Sequence, residues 1–404
     1  MSAGPGRLAY LDGLRGWMAL VVVLHHLFAS WLMAPAELRR HGAGWVASLF
    51  KWTPLGSATD GLQAVFIFFA ISGVALTYPV LRSARRDRTL AGMAVWRYPR
   101  LAVPVLASCA VAFLLTLSGA MANQPAAAHL VNGAWWAEQY AFPTDLSQML
   151  TFALWETFTP LQATMHSWNP PLWTMAPELR GSFLLFLLLA VVRWRWLRLC
   201  VAGVLIVLWV GAYIQGFLTG FLVGYCLAEL LVAAERSPLV QERMNRARPL
   251  GWLCLAGALL ASTALQIVSF EDSRNEYILP MNLVAILTIV SVVLLAPLQR
   301  WLSAPLSRFL GRLSFGLYLT HVPLICSFSS ALLLATVDRL PYWLVVTVVG
   351  GLSLVAAIAV AWLFTVLVEE RLLGWLKRCV MAIVHPAFDT AYNSVRSSVL
   401  RILP

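Results

Sequence analysis

Arg15 and His26 stand eleven residues apart, and the stretch between them is wholly apolar from Trp17 to Leu24. On an α-helix, eleven residues at ~100° each return to within about 20° of the starting face, roughly 16 Å further along the axis. His26, and not His25, therefore shares a face with Arg15. Ionisable groups inside a membrane span are costly, so they normally face the bundle interior and serve a function. A neutral imidazole placed there is a general base for an alcohol. A lone histidine would read as an interhelical hydrogen bond; the arginine on the same face weakens that reading.

Four further groups could take part. Arg97 and Arg100 sit one turn apart at the mouth of the third apolar run, with Pro99 and Pro104 beside them. Two guanidiniums so close suit the phosphates of a ligand, although membrane anchoring explains them about as well. Trp173, Glu178 and Arg180 follow Pro170-Pro171 where the fourth run opens. Glu178 and Arg180 are two apart and do not face each other on a regular helix, so each needs its own partner or a polar cavity. Together these residues read as an entrance for a polar substrate; the plainer alternative is a hydrated rim. Ser314, Tyr318 and His321 fall at i, i+4 and i+7, one helical stripe. Interhelical hydrogen bonding accounts for Ser314, and for His321 the two readings stay open. Ser72-Gly73 places one hydroxyl in the second run, where close packing accounts for it.

The elements that must position these residues are membrane helices. The chain has 404 residues, 60% of them hydrophobic and 12% charged, more apolar surface than a water-soluble domain can bury. Runs near 20 residues recur from end to end, which favours helices over a barrel. The expected fold is all-α, a polytopic bundle of about ten spans: 10–32, 62–81, 101–121, 176–192, 197–213, 216–234, 250–270, 277–298, 314–336 and 342–368. The first run lacks a small-residue cleavage site close behind it and does not read as a signal peptide.

Charge sets the orientation. Of the 29 Lys and Arg, 23 fall on one side of this alternation and 5 on the other, with Arg180 inside a span. That imbalance predicts both termini in the cytoplasm and a multi-pass protein of the inner (cytoplasmic) membrane. The net charge of +11 is dealt into alternate loops and forms no basic face, so no nucleic-acid partner is expected. The segment 122–175 holds no Lys or Arg but five tryptophans; so long a stretch reads as functional or packed back on the bundle. Residues 1–371 form the expected membrane domain. Residues 372–404 form a cytoplasmic tail, either an amphipathic helix on the inner leaflet or a frayed extension. The six cysteines lie far apart without a Cys-x-x-Cys, so no metal site is expected.

Taken together, these segments resemble the acyltransferase 3 family of membrane O-acyltransferases, from Tyr10 to about Arg371. The resemblance rests on Arg-x10-His at Arg15 and His26, Phe-Phe-x-x-Ser-Gly at Phe68 to Gly73, Arg-x-x-Arg at Arg97 and Arg100, and Ser-x-x-x-Tyr-x-x-His at Ser314, Tyr318 and His321. Trp173 and Glu178 resemble the family's outer-loop motif. Thr174 stands where a serine is usual, and Glu369-Glu370-Arg371 where Glu-Lys-Pro is frequent.

The resemblance implies transfer of an acyl group, often acetyl, from cytoplasmic acyl-CoA to a hydroxyl. No permanently bound cofactor is implied, and acetyl-CoA is a donor co-substrate. The implied acceptor is a sugar of a cell-surface polysaccharide or its lipid-linked precursor, with glycan-assembly proteins as partners besides the lipid bilayer. On this reading His26 is the base, Arg97 and Arg100 hold the donor's phosphates, and Arg15, Tyr318 or His321 steady the oxyanion or orient the base. Trp173, Glu178, Arg180 and Ser72 face the acceptor. The rival expectation is a proton-coupled transporter or flippase of a glycoconjugate or small molecule, since buried His and Arg also suit export.

Overall fold

The computed structural model describes residues 8–159, 166–268, 274–384 and 386. Among them there are no strands and ten long helices: α1 (Ala9–Leu24), α2 (Gly61–Arg82), α3 (Arg86–Leu117), α4 (Met175–Val191), α5 (Arg195–Trp209), α6 (Tyr213–Arg236), α7 (Arg248–Ile267), α8 (Arg274–Leu294), α9 (Pro305–Leu324) and α10 (Tyr342–Phe364). Backbone polar groups inside lipid must be satisfied within the segment, and a helix does so. Nine of the helical segments are long and apolar enough to cross a membrane. The fifteen-residue α5 is shorter than a span needs. Glu229 of α6 holds it in place, meeting Arg198 Nη2 at 2.9 Å and Arg195 Nε at 3.2 Å.

The helices meet where side chains are small, as expected when lipid competes for apolar surface. At Gly16 of α1 an added Cβ would lie 2.3 Å from the Gly311 backbone N of α9. At Gly73 of α2 it would lie 2.3 Å from the Phe221 carbonyl of α6. These crossings make α1, α2, α6 and α9 the centre of the bundle. Three helices pass into π-turns: His25–Leu32 after α1, Ile325–Ser329 after α9 and Thr365–Leu372 after α10. Such turns often accompany functional sites, and the first and third carry His26 and Glu369.

The expected third span began at residue 101, but α3 starts at Arg86 and stays helical through Pro99 and Pro104. Arg97 therefore lies eleven residues into a helix, roughly 16 Å from its start, and not at its mouth. The described residues of the 122–175 segment pack back on the bundle. Trp136 is buried and donates from Nε1 to the Ser30 carbonyl at 3.0 Å. Asn123 Nδ2 donates to the Trp136 and Gln139 carbonyls, both at 2.7 Å. Past α10 the helical run continues to Val384. The tail beyond Pro386 lies outside the described residues.

Candidate active site

Two cavities enter the bundle from opposite faces. The first, about 310 Å³, opens on the face where α1, α3 and α9 begin and where α10 runs out. This is the face that collects the arginines of the loops. Arg15, Arg97, Arg100, Glu178, Ser314 and Glu369 line it. The second, about 770 Å³, opens on the other face and is lined by His25, His26, Asp60, Trp135 and Trp173 among apolar side chains. Val65 and Tyr318 line both, so the cavities meet at these two side chains.

The site at the meeting point is built by α1 and α9. Their close crossing at Gly16 and Gly311 lays the Ser314-Tyr318-His321 stripe alongside the Arg15-His26 face. The stripe then runs from one cavity to the other: Ser314 lines the first, Tyr318 both, and His321 meets His26. His26 Nδ1 lies 3.0 Å from the Val22 carbonyl and 3.2 Å from His321 Nε2. His321 Nδ1 lies 3.0 Å from the Leu317 carbonyl, and its ring is fully buried.

Carbonyl oxygens only accept, so both Nδ1 atoms carry protons and both Nε2 atoms carry lone pairs. His26 Nδ1–H is shared between Val22 O and His321 Nε2. His26 Nε2 is left as the basic nitrogen of a ring that lines the second cavity. The Tyr318 hydroxyl donates to the Pro171 carbonyl at 2.7 Å and lies 2.9 Å from the Thr174 hydroxyl.

Arg15 lies within α1 and His26 in the π-turn that follows it, and the two open into different cavities. Arg97 and Glu178, expected at opposite faces of the membrane, touch. Arg97 Nη2 donates to Glu178 Oε1 at 2.6 Å and Nε to Ser182 Oγ at 2.7 Å. Ser72 Oγ donates to the same Glu178 oxygen at 2.8 Å. Glu178 and Ser72 thus line the first cavity, away from any entrance on the second face, and the Arg97 guanidinium is held within the bundle. Arg100 is exposed to the first cavity beside Arg15 and Glu369. Trp173 is 47% exposed and does sit at the second cavity. Arg180 lines neither cavity, and its Nε is buried without a hydrogen-bond partner among the described residues.

Spacing missed three residues. Helical spacing puts His25 off the Arg15 face, but it lines the second cavity, its ring 5.1 Å from that of His26. Asp60, the N-cap of α2, lines the same cavity. Glu369 enters the first cavity through the π-turn after α10. A carboxylate at the end of an apolar run was the one available signal for Glu369. Among the described residues no cluster of metal-ligating side chains occurs.

Comparison with known proteins agrees with this architecture. The family model of the acyltransferase domain of acyltransferase 3 proteins matches residues 8–362. The O-acetyltransferase PaAT-1 of Phomopsis amygdali is 25% identical over 378 residues, covering 80% of this chain and 73% of its own length. No solved structure matches.

Proposed function

The chain belongs to the acyltransferase 3 family and is a multi-pass membrane acyltransferase; from that premise we propose that it moves an acyl group, acetyl above all, from cytoplasmic acyl-CoA to a sugar hydroxyl at the other face of the inner membrane. The observation that carries this reading is the pair of cavities that meet at Val65 and Tyr318, with His26 lining the outer one. A donor from one compartment and an acceptor from the other would reach the same few side chains without either crossing the bilayer.

In this reading the thioester arm enters the arginine-lined cavity, and Arg15 and Arg100 attract the phosphates of the nucleotide left outside. The narrow volume suits an acyl-pantetheine arm. The acceptor occupies the outer cavity, where Trp135 and Trp173 offer faces for a sugar ring. His26 Nε2 takes the proton of the acceptor hydroxyl while its oxygen attacks the thioester carbonyl. The tetrahedral oxyanion then collapses, the C–S bond breaks, and the imidazolium returns the proton to the departing thiolate. His321 is a positioning residue: its lone pair accepts from His26 Nδ1–H more strongly once His26 is charged. A general base of this kind contributes about 10²–10⁴ to the rate.

Purified protein in lipid nanodiscs, given acetyl-CoA labelled in the acetyl group and a cell-envelope glycan extract, tests this. We expect thiol release coupled to labelling of the glycan, lost in His26→Ala while folded protein persists. Full turnover in that variant, or label carried across the bilayer without thioester cleavage, would overturn the reading.

A further inference from the structure

The outer cavity holds a second polar group beside His26 that the transfer chemistry does not use. His25 Nδ1 lies 2.8 Å from the Thr59 carbonyl. A carbonyl only accepts, so this nitrogen carries the proton and Nε2 is a lone-pair acceptor. The ring is seated against Gly61, where an added Cβ would stand 3.0 Å from it, so a side chain at 61 would crowd it. Asp60, the residue before, accepts from the Gln63 backbone N–H through Oδ1 at 2.9 Å. Its carboxylate otherwise has acceptor capacity only. His25, His26 and Asp60 all line one cavity.

Three hydrogen-bond acceptors in a half-buried cavity call for donors on the ligand. One acceptor, His26 Nε2, meets the reacting hydroxyl in the function proposed above. A simple monohydric alcohol would leave His25 Nε2 without a donor and Asp60 with only the backbone N–H groups that open α2, and an unmet buried polar group costs about 1–3 kcal/mol. An anionic group near Asp60 would add repulsion.

We propose that His25 and Asp60 form an acceptor-only subsite that holds a second hydrogen-bond donor of the acceptor molecule. The acceptor is therefore a polyol or amino alcohol that carries no acidic group near the reacting hydroxyl. This rests on the outer cavity being the acceptor's site. A neutral or amino sugar fits the subsite. A uronic acid, whose carboxylate would face Asp60, does not.

The test is calorimetric binding to the full chain in nanodiscs, without donor, of phenyl β-D-glucoside, phenyl β-D-glucosaminide and phenyl β-D-glucuronide. The first two should bind at least tenfold more tightly than the third. Asp60→Asn keeps a good helix N-cap and should cut the discrimination against the glucuronide to below threefold. His25→Phe should weaken the glucoside and glucosaminide about tenfold. Equal or tighter binding of the glucuronide, unchanged discrimination in both variants, or no binding of any glycoside would overturn the subsite. Discrimination in binding without any transfer from labelled acetyl-CoA would sustain the subsite and sink the transferase mechanism instead.

Discussion

His26 Nδ1 and His321 Nε2 lie 3.2 Å apart, each ring pinned through Nδ1 to the carbonyl four residues earlier. The two pins fix the tautomers, and the fixed tautomers make one histidine donor to the other. His321→Ala removes an acceptor that matters most when His26 is positively charged. A charge-assisted hydrogen bond is worth about 1.5–3 kcal/mol, so kcat should fall about ten- to a hundredfold with the acceptor KM little changed. His321→Gln, whose side-chain oxygen can take the place of Nε2, should recover part of that loss. Steady-state thiol release reads both variants. Equal activity of Ala, Gln and parent would mean that the contact is packing alone.

The Arg97–Glu178 pair is 8% and 15% exposed, and each partner is the other's main compensation for burial. Breaking such a pair from one side costs about 3–5 kcal/mol, whereas replacing both partners by apolar residues of similar volume is often neutral. Arg97→Met and Glu178→Leu alone should each lower the melting temperature sharply in detergent. The double variant should regain most of the loss, and strict additivity of the two singles would refute the coupling.

Arg100, exposed to the same cavity, should behave in the opposite way. Arg100→Ala leaves Glu369 with Arg15 still in the same cavity, so the melting temperature should hold while the KM for acetyl-CoA rises about tenfold or more, one charge-assisted contact to a phosphate. Dephospho-CoA thioesters should narrow the gap between parent and variant if the lost contact is to the nucleotide end. A fall in stability with an unchanged KM would place Arg100 in the scaffold instead.

The difference between these two arginines explains how far the sequence could be read. Arg15 with His26, and Ser314 with Tyr318 and His321, were legible because helical spacing alone puts them on a face, and a polar face among apolar helices must look inward. The number and order of long helices followed from apolar runs for a similar reason. Arg97 and Glu178 were misplaced because their contact joins helices 81 positions apart, and no local pattern encodes such a pairing. Depth was the second obstacle: α3 keeps its helix through two prolines and a cluster of arginines, so hydropathy sets its start fifteen residues too late. His25 escaped because the Arg15 face is not the only one that meets a cavity: its ring turns to the Thr59 carbonyl and lines the second cavity.

The crossing of α1 and α9 decides whether the two histidines meet at all. At Gly16 a methyl group would stand 2.3 Å from the Gly311 nitrogen and 2.4 Å from the Leu310 carbonyl carbon. Both are backbone atoms, so no rotamer change relieves the clash and the helices must move apart. Overpacking of this kind costs about 1–3 kcal/mol, enough to lower the melting temperature of Gly16→Ala without preventing insertion. The functional loss should exceed the stability loss, because a separation of a few tenths of an ångström takes the 3.2 Å contact between His26 and His321 beyond hydrogen-bond reach. In the His321→Ala background, where that contact is already gone, Gly16→Ala should cost little further kcat. A full additional loss in the double variant would show that Gly16 serves the bundle and not the histidine pair.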